Sequence, residues 1–220
     1  MFYFRINKLK IFDNREGRRF RRKIGRKEAT VQLVSFVTTE NTELPDLQSY
    51  LNATDIAEKN ALLQQMMTNT FQSKKLTPIQ HIKDNQQITF GDAGYVLFQS
   101  ESIPQQFDWQ CIVVEIDEQQ REMGTVMQEI IKSKEMDNFA ENFGAVVSMA
   151  ANPVFVASVE IGKFLIDMIG KVLGKNHDDM IGLFYMSLNQ REHYPHGERK
   201  KDNVPDLTNN VLLDYSIFGF

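Results

Sequence analysis

The amino-acid sequence predicts an α+β protein: an antiparallel β-sandwich of seven or eight strands, with helical insertions at about residues 45–71 and 125–174. Three observations predict it. Short runs with period-two apolar alternation, bounded by turn residues, recur at both ends and in the middle of the chain. Between them, two stretches change to the 3.6-residue period of a helix. At 220 residues, with 42% hydrophobic and 25% charged residues, the chain is long enough to bury a self-sufficient core as one domain spanning 1–220.

Taken in order, residues 2–12 (FYFRINKLKIF) place Phe4, Ile6, Leu9 and Ile11 on a half-buried strand that ends at the turn formers Asp13-Asn14. Thr30–Thr38 repeats the pattern with Val31, Leu33 and Val37. Pro45–Phe71 is helical: Pro45 and Asp46 suit a first turn, Thr54-Asp55 suits an N-cap with Glu58 as its capping-box partner, and Ile56, Leu62, Leu63, Met66, Met67 and Phe71 form the apolar stripe. Lys74–Gln87 is polar, contains Pro78 and the lone His81, and reads as a connector. Strand signals resume at Ile88–Phe90 and Tyr95–Gln99 around a Gly91–Gly94 turn. Trp109–Gly124 opens with a run of β-branched and apolar residues, the pattern of a buried central strand, and then passes into the acids Asp117, Glu118 and Glu122.

From Thr125 to Leu173 the pattern is helical again. Asn142–Val159 holds no charge over 18 residues, the lower limit for a membrane span, but Asn152-Pro153 interrupts it. Beyond Pro153, Glu160, Lys163, Asp167 and Lys171 share one face, while the rest of the circumference is apolar, which implies a helix buried on most sides. Two further strands, Met180–Asn189 and Asn209–Phe220, flank a polar loop at 191–207.

Charge is unevenly placed. Residues 15–27 carry eight of the 25 basic side chains and one acid, and the remaining chain has a formal charge of −11. Arg18, Arg19, Arg21, Arg22 and Lys23 sit in this basic loop, where their mutual repulsion favours an anionic surface nearby: phosphate, lipid head groups or an acidic protein. Nucleic acid is disfavoured, since only Phe20 accompanies the cations as a stacking platform. The single cysteine, Cys111, excludes an intrachain disulfide, and the N-terminus lacks a signal-peptide pattern, so a cytoplasmic protein is expected.

The 191–207 loop concentrates reactive side chains. His193, Tyr194, His196 and Arg199 are typical of a partner-binding surface. His193 and His196 with the following acid can also hold zinc or serve acid–base chemistry. No nucleophile elbow, phosphate-cradling glycine loop, zinc-finger spacing or internal repeat accompanies them.

Two segments carry a resemblance. VVEIDEQQREMG at 113–124 resembles the part of C2 domains in which a core strand enters an acidic calcium loop, and FYFRINKLKIFDN at 2–14 resembles a C2 entry strand with its first acidic loop. The resemblance implies a C2-like sandwich and a calcium site using Asp13, Asp117 and Glu118. Gln119 stands where the family places a second aspartate. The leading expectation is therefore a non-enzymatic interaction module, a structural component or cargo of a larger bacterial assembly, without an obligatory cofactor. The alternatives are a membrane-associating or pore-forming protein using the apolar helices at 139–173, and a metal-dependent hydrolase using His193 and His196.

Overall fold

In this computed structural model the structure describes residues 1–14, 28–115, 123–175 and 180–220. Strand β1 (Phe2–Ile11) buries Phe2, Phe4, Ile6, Leu9 and Ile11. Its alternation slips between Ile6 and Leu9 because the register with the last strand shifts there, making Asn7 an extra residue in a β-bulge. Strand β2 (Ala29–Thr39) follows, then helices α1 (Leu47–Asn52) and α2 (Ile56–Gln72). The Asp55 side chain caps α2 by accepting the Glu58 amide at 3.1 Å, as the sequence predicts. Strands β3 (Lys75–Ile82), β4 (Gln86–Thr89), β5 (Tyr95–Ser100) and β6 (Gln106–Glu115) lead to the second helical region.

That region is α3 (Met123–Ile131), α4 (Lys134–Ser148) and α5 (Pro153–Lys175). Asn152-Pro153 starts α5 rather than kinking a longer helix: the Asn152 side chain accepts the Phe155 amide at 3.1 Å, and proline occupies the first helical position, where no amide is needed. Strand β7 (Met180–Asn189), the one-turn helix α6 (Gln190–His193), β8 (Glu198–Pro205) and β9 (Val211–Gly219) complete the described chain.

The strands form two antiparallel sheets. Sheet A runs β4-β1-β9-β8, with β5 beside the other half of β1; sheet B runs β3-β2-β6-β7. The sheets face each other across an aromatic core in which Phe4 meets Trp109 at 5.3 Å and Tyr215 at 5.6 Å between ring centroids. The opposite face of sheet B is covered by α2 to α5: Val34, Phe36, Ile112 and Val114 pack against Leu63, Met66, Ile161, Leu165 and Ile169. Layering is thus sheet, sheet, helices. Adjacent β6 residues alternate between the two cores, Trp109, Cys111 and Val113 toward sheet A and Ile112 and Val114 toward the helices, which is why Cys111–Val114 reads as a continuous apolar run.

The α+β class, the antiparallel sheets and both helical insertions agree with the sequence expectation, with nine strands among the described residues instead of seven or eight. Two segments differ. The expected connector at 74–87 contains β3, an edge strand, where Pro78 is tolerated because its missing amide faces no neighbour. The expected loop at 191–207 contains α6 and the edge strand β8, whose charged side chains are solvated. Among the described residues no helix is long and apolar enough to cross a membrane.

Candidate functional site

The edges of the two sheets differ in how they are protected. An edge strand offers unpaired amides and carbonyls to any passing strand, and proteins blunt this with charge, proline, bulges or brevity. β3 carries Lys75 and Pro78. β8 reads ERKKDNVP and bulges between Lys201 and Val204, where Asn203 takes a φ of +54°. β4 has only four residues, and β5, six residues that likewise lack charge and proline, is short and bulged, its register with β1 shifting between Phe98 and Val96. β7 is different: its ten residues, MIGLFYMSLN, include no charge and no proline.

The direction of the β7 backbone follows from its end contacts. Leu183 donates its amide to Asp206 Oδ2 at 2.9 Å and accepts Leu207 N–H at 2.8 Å. Ile181 O accepts from Asn210 Nδ2 at 2.9 Å, and the Asn189 amide donates to His193 Nδ1 at 3.1 Å. Odd-numbered residues of β7 therefore turn their polar backbone groups away from β6. Between the two covered ends, Tyr185 and Ser187 share that direction, and among the described residues no strand pairs with them there.

Beside this open stretch lies a groove of about 330 Å³, between the β7 and β8 edges. Met186, Leu188, Val204 and Leu207 form its apolar lining, and Arg199 and Lys201 supply two cations. Arg199 is held in place: Nε donates to the Tyr215 hydroxyl at 2.8 Å and Nη1 to the His193 carbonyl at 3.1 Å. Neither cation meets a carboxylate within ion-pair distance among the described residues. Leu207 is 64% exposed at the groove's rim.

Asp206 builds the loop that closes one end. Its carboxylate, only 3% exposed, accepts the amides of Leu183, Thr208, Asn210 and Val211 and the Thr208 hydroxyl. Burial alone raises its pKa, yet the Thr208 hydroxyl and these amides outweigh burial and hold it below the ordinary aspartate value. Gly182 is required beside it, since a Cβ there would stand 2.6 Å from Val211 Cγ2.

The structure separates the residues that the sequence groups together. Arg199 lines the groove, and His193 covers the Asn189 end of β7 by accepting the Asn189 amide at Nδ1. His196 is exposed on the turn before Gly197. Tyr194, expected on a contact surface, is fully buried: its ring packs 5.8 Å from Phe2 and its hydroxyl donates to the Pro104 carbonyl at 2.8 Å. It anchors the loop to the sandwich core. Arg18, Arg19, Arg21, Arg22 and Lys23 of the basic loop lie outside the described residues, as do Asp117 and Glu118 of the expected calcium loop. Asp13 is described, and its amide donates to Asn210 Oδ1 at 3.0 Å. Among the described residues no three His, Cys, Asp or Glu side chains gather as a metal site.

The open backbone at Tyr185 and Ser187 was beyond sequence reasoning. Its signal, a strand without charge or proline, becomes meaningful only once that strand is known to lie at an edge. No protein-family model matches the chain, and no curated protein matches it.

Proposed function

We propose that this protein is a non-enzymatic interaction module, a structural component or cargo of a larger protein assembly, which docks through the open side of its sandwich between β7 and β8. The observation that carries this reading is an uncharged edge strand beside an apolar groove with two cations that meet no carboxylate among the described residues. Such a combination is costly to leave exposed and suits a protein surface that covers it. The basic loop at 15–27 supplies a second anion-seeking surface in the same proposal. We also read the sandwich as C2-like, on the two antiparallel sheets and on the strand that leads into the acidic segment at 117–122. The apolar face of α5 supports the protein-docking reading over membrane insertion, because Ile161, Leu165, Ile166 and Ile169 are already buried against sheet B and its neighbouring helices.

Lysine-directed crosslinking in cells that make the protein, followed by mass spectrometry, tests this. Crosslinks from Lys200 and Lys201 to another protein are expected. If the products are purely intramolecular and the protein co-floats with liposomes, the reading fails in favour of the membrane alternative.

A further inference from the structure

We infer that the open part of β7 is a strand-addition site: an extended acidic segment of a partner protein pairs with the backbone of Tyr185 and Ser187 and extends sheet B by one strand. This rests on the interaction reading above and adds the mode of docking and the chemistry of the occupant.

Each open residue offers one amide and one carbonyl, and residues two apart on a strand match the repeat of an incoming strand's own donors and acceptors. The window is bounded. Asp206 and Leu207 cover the Leu183 end and His193 covers the Asn189 end, so an added strand is confined to Phe184–Leu188. Side chains of the added strand that point toward sheet A enter the groove, where Met186, Leu188, Val204 and Leu207 favour apolar residues and Arg199 and Lys201 favour carboxylates.

A second copy of this chain fits poorly. Pairing two β7 edges about a two-fold axis merges the two grooves and sets Arg199 and Lys201 of one copy against the same cations of the other. A strand from another protein whose groove-facing positions, every second residue, carry apolar and acidic side chains in turn meets no such repulsion.

The test uses the full chain and a fluorescent, end-capped peptide, Val-Thr-Glu-Thr-Val-Thr-Glu-Thr-Val, whose odd positions place valines and glutamates on one face, followed by fluorescence anisotropy. Ser187→Pro removes an outward amide without touching the ladder to β6, and Ser187→Ala is its control, because both lose the hydroxyl that bonds Asp108. Binding is expected for the parent and, within about twofold, for Ser187→Ala; Ser187→Pro should weaken it about tenfold, the equivalent of one lost hydrogen bond. Replacing both glutamates of the peptide by lysine should weaken binding by a similar factor, about tenfold, through reversed charge. N-methylation of alternate peptide amides on the docking edge should abolish binding, an arm that does not depend on any variant folding.

The strand mode is overturned if Ser187→Pro binds as Ser187→Ala does, if the lysine peptide binds as well, or if the parent shows no binding at about 1 mM peptide, the affinity floor of such contacts. It is equally overturned if light scattering shows a dimer that Ser187→Pro converts to monomer, which would assign the edge to a second copy. Partner crosslinks that survive in Ser187→Pro overturn strand addition alone, whereas a lack of any intermolecular crosslink overturns the interaction reading beneath it.

Discussion

The two sheets are built from the same alternating strands and share one core, yet they live in different surroundings. Sheet B is dry on both faces, with the aromatic core on one side and α2 to α5 on the other. Sheet A is dry on one face only. On its outer face Lys8 pairs with Asp214 at 2.8 Å, Tyr3 stacks on Phe218 at 4.8 Å, and the Arg5 guanidinium lies 4.4 Å above the same ring. What covers a strand, more than its own propensity, decides which residues it tolerates.

Two aspartates show the electrostatic side of this difference. Asp108, on β6 beneath α5, has its pKa raised: burial dominates, and the Ser187 hydroxyl and Gln110 amide offset it only in part. Asp214, on the outer face of sheet A, has its pKa lowered: burial raises it, but the Asn203 amide at 2.7 Å and Lys8 outweigh burial. One sheet resists a charge and the other holds it.

The comparison can be broken by substitution, and the largest effect is expected where both sheets meet. Trp109→Ala removes a fully buried ring shared by both sheets and should cost about 3–5 kcal/mol, read by denaturant unfolding. Ile112→Ala, facing the helices, should cost about 2–4 kcal/mol, which shows that the second face of sheet B is a true core; a loss under about 1 kcal/mol would contradict the layering. Gly162→Ala probes the close approach of α5, since the added Cβ would stand 2.6 Å from Gln110 Oε1; an overpacking penalty of about 1–3 kcal/mol should appear as a lowered thermal midpoint.

The aspartates sharpen the contrast through pH. Asp214 has a folded pKa below its unfolded value near 3.8, so its stabilisation is present above that pH and is lost as pH falls through the folded value. Asp214→Asn should therefore cost about 1 kcal/mol at neutral pH and much less in acid. Asp108 runs the other way. Its folded pKa is raised, so stability declines as pH climbs from about 3.8 through the folded value, and Asp108→Asn should be better tolerated at neutral pH than in acid. Parallel unfolding curves for both variants at two pH values check the opposite signs. The smallest effect belongs to Lys10→Ala on the wet face of sheet A, expected to stay within about 0.5 kcal/mol of the parent.

How much of this was legible in the sequence depends on what each residue answers to. β6 and α5 were legible because burial on two or more sides writes a long apolar run. The Asp55 cap was legible because capping is a matter of neighbouring residues alone. β3 and β8 were not, since edge strands accept the proline and charge that elsewhere mark loops. Tyr194 looked like a contact residue, yet its hydroxyl reaches Pro104, 90 positions earlier in the chain, a pairing that no local pattern announces. The groove is a still stronger case, because it exists only where the edges of two separate sheets come side by side.

The pairing of β1 with β9 also sets an order of assembly. Asn7 and Ser216 meet across 209 positions, whereas β2, β6 and β7 pair across much shorter intervals. Closing the longest loop is entropically the dearest step, so it is deferred until other contacts have shortened the effective distance. Sheet B with its helices is then the platform on which sheet A is laid, with β9 slotted between β1 and β8 as the closing piece. Pulse-labelled hydrogen exchange during refolding should accordingly protect the amides of β6 before those of β1.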